Sequence, residues 1–194
     1  MCKEISETNE DELIRCYAVF IYNDDHGVML WEQRGHAENQ HFVIWDYHVV
    51  LLYAGVKKTL ICDFDTLLNF PCDASLYIER TLRPYLHVDT PYRRFFRVVN
   101  AAGYLQQFSS DRRHMLDFDG NPKEQAPSWP IIYNPGMRNF VIACRLLPYN
   151  VLSPDYGHNL ADFIVVDNDF FTEISEIYDQ DTFIKFVTEV LKPR

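Results

Sequence analysis

The stretch Phe42-Val-Ile-Trp-Asp-Tyr-His-Val-Val-Leu-Leu-Tyr53 decides the fold, because it is the longest strand candidate of the chain. Its apolar residues fall on both faces of a strand, as in a central strand covered from both sides. A turn around Gly55 leads into a second β-rich run, Thr59-Leu-Ile-Cys-Asp-Phe-Asp65. The two runs predict a hairpin at the centre of an antiparallel sheet.

The residues on either side of this hairpin supply the other elements. Apolar runs bounded by turn residues predict strands at 16–22, 28–31, 95–99 and 159–166. Helical patterns predict a short helix ending at residue 15 and helices at 74–82, 101–108, 170–178 and 181–192. The predicted fold class is α/β of the α+β type, with a largely antiparallel central sheet flanked by helices. At 194 residues we expect a single domain over 1–194, since two halves would each have a small core.

The composition excludes several classes of protein. A net charge of -10 and a pI near 5.1 argue against a nucleic-acid partner, because phosphate binding needs a concentrated basic surface. No run of about 18 apolar residues occurs in the chain, so a membrane-spanning helix is not expected. The first residues, Met1-Cys-Lys-Glu4, lack the apolar region of a secretory signal. We therefore expect a soluble intracellular chain with no membrane partner.

Cysteine and histidine spacings bear on redox and metal chemistry. The five cysteines are an odd number at irregular spacings, which indicates reduced thiols rather than a disulfide scaffold. Neither Cys-x-x-Cys nor His-x3-His spacing occurs, so a zinc site is not expected. We expect neither a metal nor a cofactor.

The polar pair Asp46 and His48 stands inside a very apolar run. Side chains alternate along a strand, so these two residues share one face with Val50. A buried carboxylate costs several kcal/mol unless it is paired, so such a pair calls for an explanation.

Strand pairing brings another acid to His48. A two-residue hairpin loop at 55–56 sets His48 opposite Asp63, whereas a loop at 56–57 sets it opposite Asp65. Directly paired residues have Cβ atoms about 5 Å apart, close enough for an imidazole–carboxylate hydrogen bond. Either register puts a carboxylate beside His48.

A histidine held by a carboxylate admits two interpretations. The acid can fix the tautomer, so that the free nitrogen becomes a base for a thiol or hydroxyl nucleophile. The same pair can also be a satisfied core histidine in a structural network, because perturbed ionisable groups are only probabilistic markers of sites. From the residues alone, the structural interpretation is favoured about two to one.

Several short motifs follow one another along the chain. They are Cys16-Tyr-Ala-Val-Phe20, Val43-Ile-Trp-Asp-Tyr-His-Val-Val50, Asp63-Phe-Asp-Thr66, Phe70-Pro-Cys72, Phe95-Phe-Arg-Val-Val99 and Phe108-Ser-Ser-Asp-Arg-Arg-His-Met115. In this order they resemble the protein N-terminal glutamine amidohydrolase family. The resemblance covers about 16–132, with a weaker echo at 159–164.

The resemblance implies a papain- or transglutaminase-like cysteine hydrolase with a Cys-His-Asp triad. It would convert the N-terminal glutamine of proteins and peptides to glutamate and release ammonia, feeding the N-degron pathway. His48 then matches the family base and Asp63 the residue that orients it, while Asp65 is structural. The resemblance also implies a monomer in the cytoplasm or nucleus, and makes 136–158 an insertion.

The nucleophile departs from the family pattern. The family cysteine lies in a Tyr-Cys-Glu-Glu-Asn motif, which does not occur here. Cys2 stands 14 residues before Cys16, a spacing that suits a second, structural family cysteine on the following helix. We therefore interpret Cys2 as structural and keep it as the alternative nucleophile. An incomplete gene model or a pseudoenzyme would each explain the pattern.

The sequence is compatible with three functions. The first is deamidation of N-terminal glutamine. The second is a catalytically inactive protein that binds N-terminal residues. The third is a different cysteine hydrolase or acyltransferase that uses the same triad geometry.

Overall fold

The computed structural model describes residues 1–24, 27–35, 40–86, 92–111, 115–123, 131–132, 158–165 and 173–191. The predicted insertion at 136–158 lies outside these residues except for His158. The insertion and the single domain therefore stay predictions.

Most of the described strands belong to one sheet. They are β1 (Cys16–Tyr22), β4 (Tyr47–Ala54), β5 (Thr59–Cys62), β6 (Cys72–Asp73), β7 (Phe95–Asn100) and β8 (Ser175–Asp179). Their order is β6-β5-β4-β1-β7-β8, and every neighbouring pair is antiparallel. A separate antiparallel pair joins β2 (Val28–Trp31) to β3 (Phe42–Trp45).

Short helices flank this sheet. They are α1 (Cys2–Thr8), α2 (Glu10–Leu13), α3 (Ala74–Tyr77), α4 (Ala101–Gln107), α5 (Leu160–Phe163) and α6 (Gln180–Lys185). Helices α3 and α6 each continue as a π-helical segment, Ile78–Leu82 and Phe186–Val190. None of the helices in the described ranges has the length and apolar character needed to cross a bilayer. The prediction of an antiparallel sheet flanked by helices is confirmed, while the papain-like scaffold stays a prediction.

The long strand predicted over 42–53 is in fact two strands, which corrects the prediction. The strand is interrupted at the exposed Asp46. As a result β3 pairs with β2, and β4 belongs to the main sheet. Asp46 is therefore not part of a buried polar pair. A continuous 12-residue strand would exceed the usual 3 to 10 residues, and the break lets each half pair with a different partner.

Two further predictions near the C-terminus are wrong. Residues 159–166 were expected as a strand but contain α5, whose buried Leu160 and Phe163 are three residues apart and share one helical face. Residues 170–178 were expected as a helix but contain most of β8, the edge strand of the sheet, which pairs with β7. In this segment the tertiary pairing overrides the local preference.

The two faces of the sheet bury different clusters. We call the first the α3 face; it carries Val50, Leu52 and Ile61, which pack against α3 and α6. We call the other the α1 face; there Leu51 of β4 packs with α1, α2 and α4. Farther along β1 and β7, the α1 face also packs against α5. Because adjacent residues of a strand point to opposite faces, each side chain of β4 belongs to one cluster only.

We expect Gly27→Ala to lower the free energy of unfolding by about 2 to 4 kcal/mol, measured by urea denaturation. Gly27 has φ +87°, and an added Cβ would lie 2.5 Å from the backbone oxygen of Trp45 at the β3–β4 break. The matched control is Gly120→Ala, where φ is +82° but no atom lies within 4 Å of the added Cβ. That variant should show only the left-handed strain, about 1 to 2 kcal/mol. Equal losses in both variants would contradict the predicted clash.

Candidate active site

His48 lies near the start of β4 and points to the α3 face of the sheet. It pairs with Ile21 of β1, a member of the α3-face cluster, and only 5% of it is exposed. The ring of Trp45 stacks on its imidazole, with centroids 5.2 Å apart and planes 30° apart. The break at Asp46 makes this stacking possible. In an unbroken strand Trp45 and His48, which are three positions apart, would point to opposite faces.

The observed hairpin register matches one of the two predicted loops, but the acid that bonds His48 is the one expected from the other loop. The pairs Leu51↔Cys62 and Ala54↔Thr59 correspond to the loop centred on 56–57, which was expected to set Asp65 opposite His48. Regular pairing ends at Cys62, however, and Asp63 turns back so that its Oδ1 lies 2.9 Å from His48 Nε2. The bonded acid is thus Asp63, as the resemblance implied.

The Asp63 carboxylate is buried and fully hydrogen-bonded. Its Oδ1 contacts His48 Nε2 and accepts a hydrogen bond from the backbone N–H of Asp65, both at 2.9 Å. Its Oδ2 accepts hydrogen bonds from Gln33 Nε2 at 2.9 Å and from the Tyr77 hydroxyl at 2.8 Å. Only 1% of Asp63 is exposed, so these contacts replace its hydration.

These contacts determine the charge of Asp63. Burial alone would raise the pKa of its carboxyl group. The hydrogen bond and charge of His48, aided by the other donors, outweigh burial and hold the pKa of Asp63 below its usual value. Asp63 is therefore ionised at neutral pH.

An ionised Asp63 fixes the tautomer of a neutral His48. A carboxylate can only accept hydrogen bonds, so the Nε2 atom of His48 must carry a proton and donate it. The Nδ1 atom then keeps its lone pair, and it bonds no other group of the described residues. This arrangement makes Nδ1 a base for a nucleophile that approaches the α3 face.

The exposed Asp65 lies near the His48–Asp63 pair, which raises the question of a metal site. One ligand atom each of His48, Asp63 and Asp65 lie within 4.8 Å of one another, a spacing compatible with a metal ion. Each of the two oxygens of Asp63 already accepts two hydrogen bonds, however. A cation would therefore have to displace donors from the carboxylate. The donor set therefore fits a histidine–carboxylate pair better than a metal centre.

The described cysteines do not join this pair. Cys2, Cys16 and Cys62 pack on the α1 face, on the opposite side of the sheet from His48. Cys72 lies in the α3-face cluster, but its thiol is buried and donates to the backbone oxygen of Asp73. Burial raises the pKa of all four thiols, which lowers their reactivity at neutral pH. Cys144 lies outside the described residues.

Sequence reasoning missed Gln33 and Tyr77, which complete the shell of Asp63. Gln33 follows β2 and forms an isolated bridge with Thr66, and Tyr77 ends α3. They lie 30 and 14 residues from Asp63 along the chain, and no motif spacing links them to it. Only the packing of β2 and α3 on the same face brings them together.

Comparisons with known proteins identify the family of the chain. The chain matches the family model for N-terminal glutamine amidase over residues 1–187. The chain belongs to this family. The match extends beyond the motifs of residues 16–132 and includes the strand β8 and helix α6.

Three relatives illustrate the similarity. Proteins of Drosophila willistoni, Drosophila ananassae and Drosophila erecta, each named protein N-terminal glutamine amidohydrolase, are 41% identical to this chain over 133 residues. The matched stretch covers 68% of this chain and 65% of each relative. The match thus spans slightly less than two thirds of the length of these family members.

We expect Asp63→Asn to lower the free energy of unfolding at pH 7 by about 1 to 3 kcal/mol, because the new amide turns an N–H group toward buried donors. The lowered pKa of Asp63 means that ionisation stabilises the folded state above about pH 4 and that this stabilisation is lost as the pH falls further. The difference in the free energy of unfolding between wild type and variant should therefore become smaller in acid. It can be measured by urea denaturation at several pH values.

The control for this prediction is Asp65→Asn, the same change on an exposed carboxylate two residues away. At pH 7 it should leave the free energy of unfolding within about 0.5 kcal/mol of wild type. A gap for Asp63→Asn that widens toward acid would contradict the predicted charge state.

Proposed function

We propose that this protein hydrolyses the side-chain amide of N-terminal glutamine in proteins and peptides, giving N-terminal glutamate and ammonia. His48 is the general base and Asp63 the residue that orients it. The observation that carries the proposal is the 2.9 Å contact between His48 Nε2 and Asp63 Oδ1, which leaves Nδ1 available. Membership of the N-terminal glutamine amidase family and the names of the relatives support the choice of substrate.

The proposed reaction proceeds by nucleophilic catalysis. Nδ1 of His48 accepts the proton of a cysteine thiol, and the thiolate attacks the side-chain amide carbon of glutamine. The imidazolium returns the proton to the leaving nitrogen, so that ammonia departs and a thioester remains. Water, deprotonated by the same nitrogen, hydrolyses the thioester to the glutamate carboxyl group. The ionised Asp63 stabilises the imidazolium formed in each half-reaction.

The nucleophile is proposed to be the cysteine of the family's Tyr-Cys-Glu-Glu-Asn motif, which this sequence does not contain, rather than Cys2. Cys2 packs with Leu51 on the α1 face, where burial raises the pKa of its thiol. Its role there is structural, since it helps to join α1 to the sheet. None of the cysteines within the described ranges hydrogen-bonds to His48.

The biological setting follows from the proposed reaction. Its substrates are intracellular proteins that begin with glutamine, and the product can enter an N-degron pathway. Cysteine chemistry of this kind needs no metal or cofactor. We propose that the protein acts as a monomer in the cytoplasm or nucleus and has neither a nucleic-acid nor a membrane partner.

The direct test is ammonia release from a glutamine-initiated peptide. It should be measured with this chain and with a form preceded by the family's Tyr-Cys-Glu-Glu-Asn segment. We expect little or no release from the first and robust release from the second. In the active form His48→Ala should lower the rate at least about 100-fold, because general base catalysis contributes that much. Cys2→Ser should leave the rate close to that of its parent.

Two matched substrates test the specificity. A peptide whose N-terminal glutamine is acetylated and a peptide with an internal glutamine should release no ammonia. Turnover of either at the rate of the free peptide would rule out the N-terminal specificity. Release by this chain alone that is lost in Cys2→Ser would identify Cys2 as the nucleophile. Peptide binding without release by either form would favour an inactive binding protein.

A further inference from the structure

We propose that Gln33 and Tyr77 are positioning residues that hold the Asp63 carboxylate in the one rotamer that orients His48. Neither has a role in the reaction scheme above, and the catalytic meaning of the proposal rests on that proposed function. The two side chains reach Asp63 Oδ2 from different elements, one after β2 and the other on α3. They thus act on the oxygen that His48 does not use.

The geometry lets these donors control the direction of Oδ1. The two oxygens of a carboxylate are rigidly linked, so a rotation about the Cβ–Cγ bond moves both together. Two donors at 2.8 and 2.9 Å on Oδ2 therefore resist any rotation that would take Oδ1 away from His48 Nε2. The backbone N–H of Asp65 holds Oδ1 in the same way.

Tyr77 is suited to a constant role as a donor. Its side chain is fully buried, and burial together with the neighbouring Asp63 raises the pKa of its hydroxyl well above the usual value. The hydroxyl therefore stays protonated over the physiological pH range. The helix that carries it begins with a side-chain cap, in which Asp73 accepts a hydrogen bond from the Ser75 backbone N–H.

Gln33 serves the carboxylate at a cost to folding. Its Nε2 faces Asp63, since an ionised carboxylate accepts only from a donor, and this leaves Oε1 buried without a partner among the described residues. An unpaired buried acceptor costs about 1 to 3 kcal/mol. A glutamine selected only for stability would pair both ends, so its orientation points to a role at Asp63.

The backbone next to Gln33 is strained as well. Glu32 adopts φ +53°, in the left-handed region that residues with a side chain rarely occupy. Its carbonyl accepts a hydrogen bond from the Leu67 N–H, and the Arg34 N–H donates to the carbonyl of Asp65. These two bonds tie the residues around Gln33 to the segment that follows Asp63. The strain is thus associated with delivering the Gln33 amide to the carboxylate.

The test measures the tautomer of His48, which reports the position of Asp63 without any substrate. In uniformly ¹⁵N-labelled protein at about pH 8, where an ordinary histidine is neutral, the imidazole nitrogens of His48 are assigned with His48→Asn. We expect a single tautomer in wild type, with Nε2 protonated and Nδ1 unprotonated. Tyr77→Phe and Gln33→Met, which each remove one donor at nearly constant size, should lose this uniformity and give a mixture of tautomers.

The matched control is Thr81→Val, which removes a buried hydroxyl one helical turn beyond Tyr77. The Thr81 hydroxyl has no hydrogen-bond partner among the described residues, so this variant should keep the wild-type tautomer. Wild-type nitrogen resonances in Tyr77→Phe or Gln33→Met would overturn the role of that residue. A tautomer mixture in Thr81→Val would overturn the proposal as a whole, because it would reflect general loosening of the helix.

The same variants separate positioning from the reaction itself. In a form that releases ammonia, Tyr77→Phe and Gln33→Met should lower kcat and leave KM unchanged, because they act on the base and not on the bound peptide. A protein that releases no ammonia would still report its tautomer. Failure of the proposed function and failure of this proposal are therefore distinguishable.

Discussion

The buried, ionised carboxylate of Asp63 is the interaction on which the site depends. A charge removed from water is tolerated only when hydrogen bonds and a partner replace its hydration. Here four donors do so, from a strand, a helix, an isolated bridge and the residue two positions along the chain. Hydrogen bonds from these elements favour the charged form of the carboxylate. The fold and the charge of Asp63 therefore support each other.

The sheet also separates chemical groups that lie close together in sequence. Cys62 and Asp63 are neighbours, yet Cys62 packs on the α1 face and Asp63 bonds His48 on the α3 face. Cys2 packs on the same face as Cys62. This separation keeps Cys2, Cys16 and Cys62 away from the base, whereas Cys72 lies on the α3 face but donates its thiol to the backbone oxygen of Asp73. A thiol must approach the α3 face to be activated there.

The region around the pair contains features that lower the stability of the fold and that packing alone does not explain. Gln33 Oε1 and the indole nitrogen of Trp45 are buried without hydrogen-bond partners among the described residues. Glu32, which precedes Gln33 in the chain, adopts a left-handed conformation. Sites where local rules are broken are expected to be functional ones. The unpaired groups thus mark the surroundings of His48 and Asp63 as a candidate functional region.

The sequence by itself determined the antiparallel sheet and the helices at 74–82 and 101–108, and it indicated His48 as a candidate base. Apolar periodicity and short-range motifs carry that information, and the family resemblance selected Asp63 over Asp65. Only the tertiary structure decided the break at Asp46, the pairing of β8 with β7, and the approach of Gln33 and Tyr77 to Asp63. These features depend on contacts between segments far apart in the chain. Local preference cannot report them, because their free energy arises only when the elements pack together.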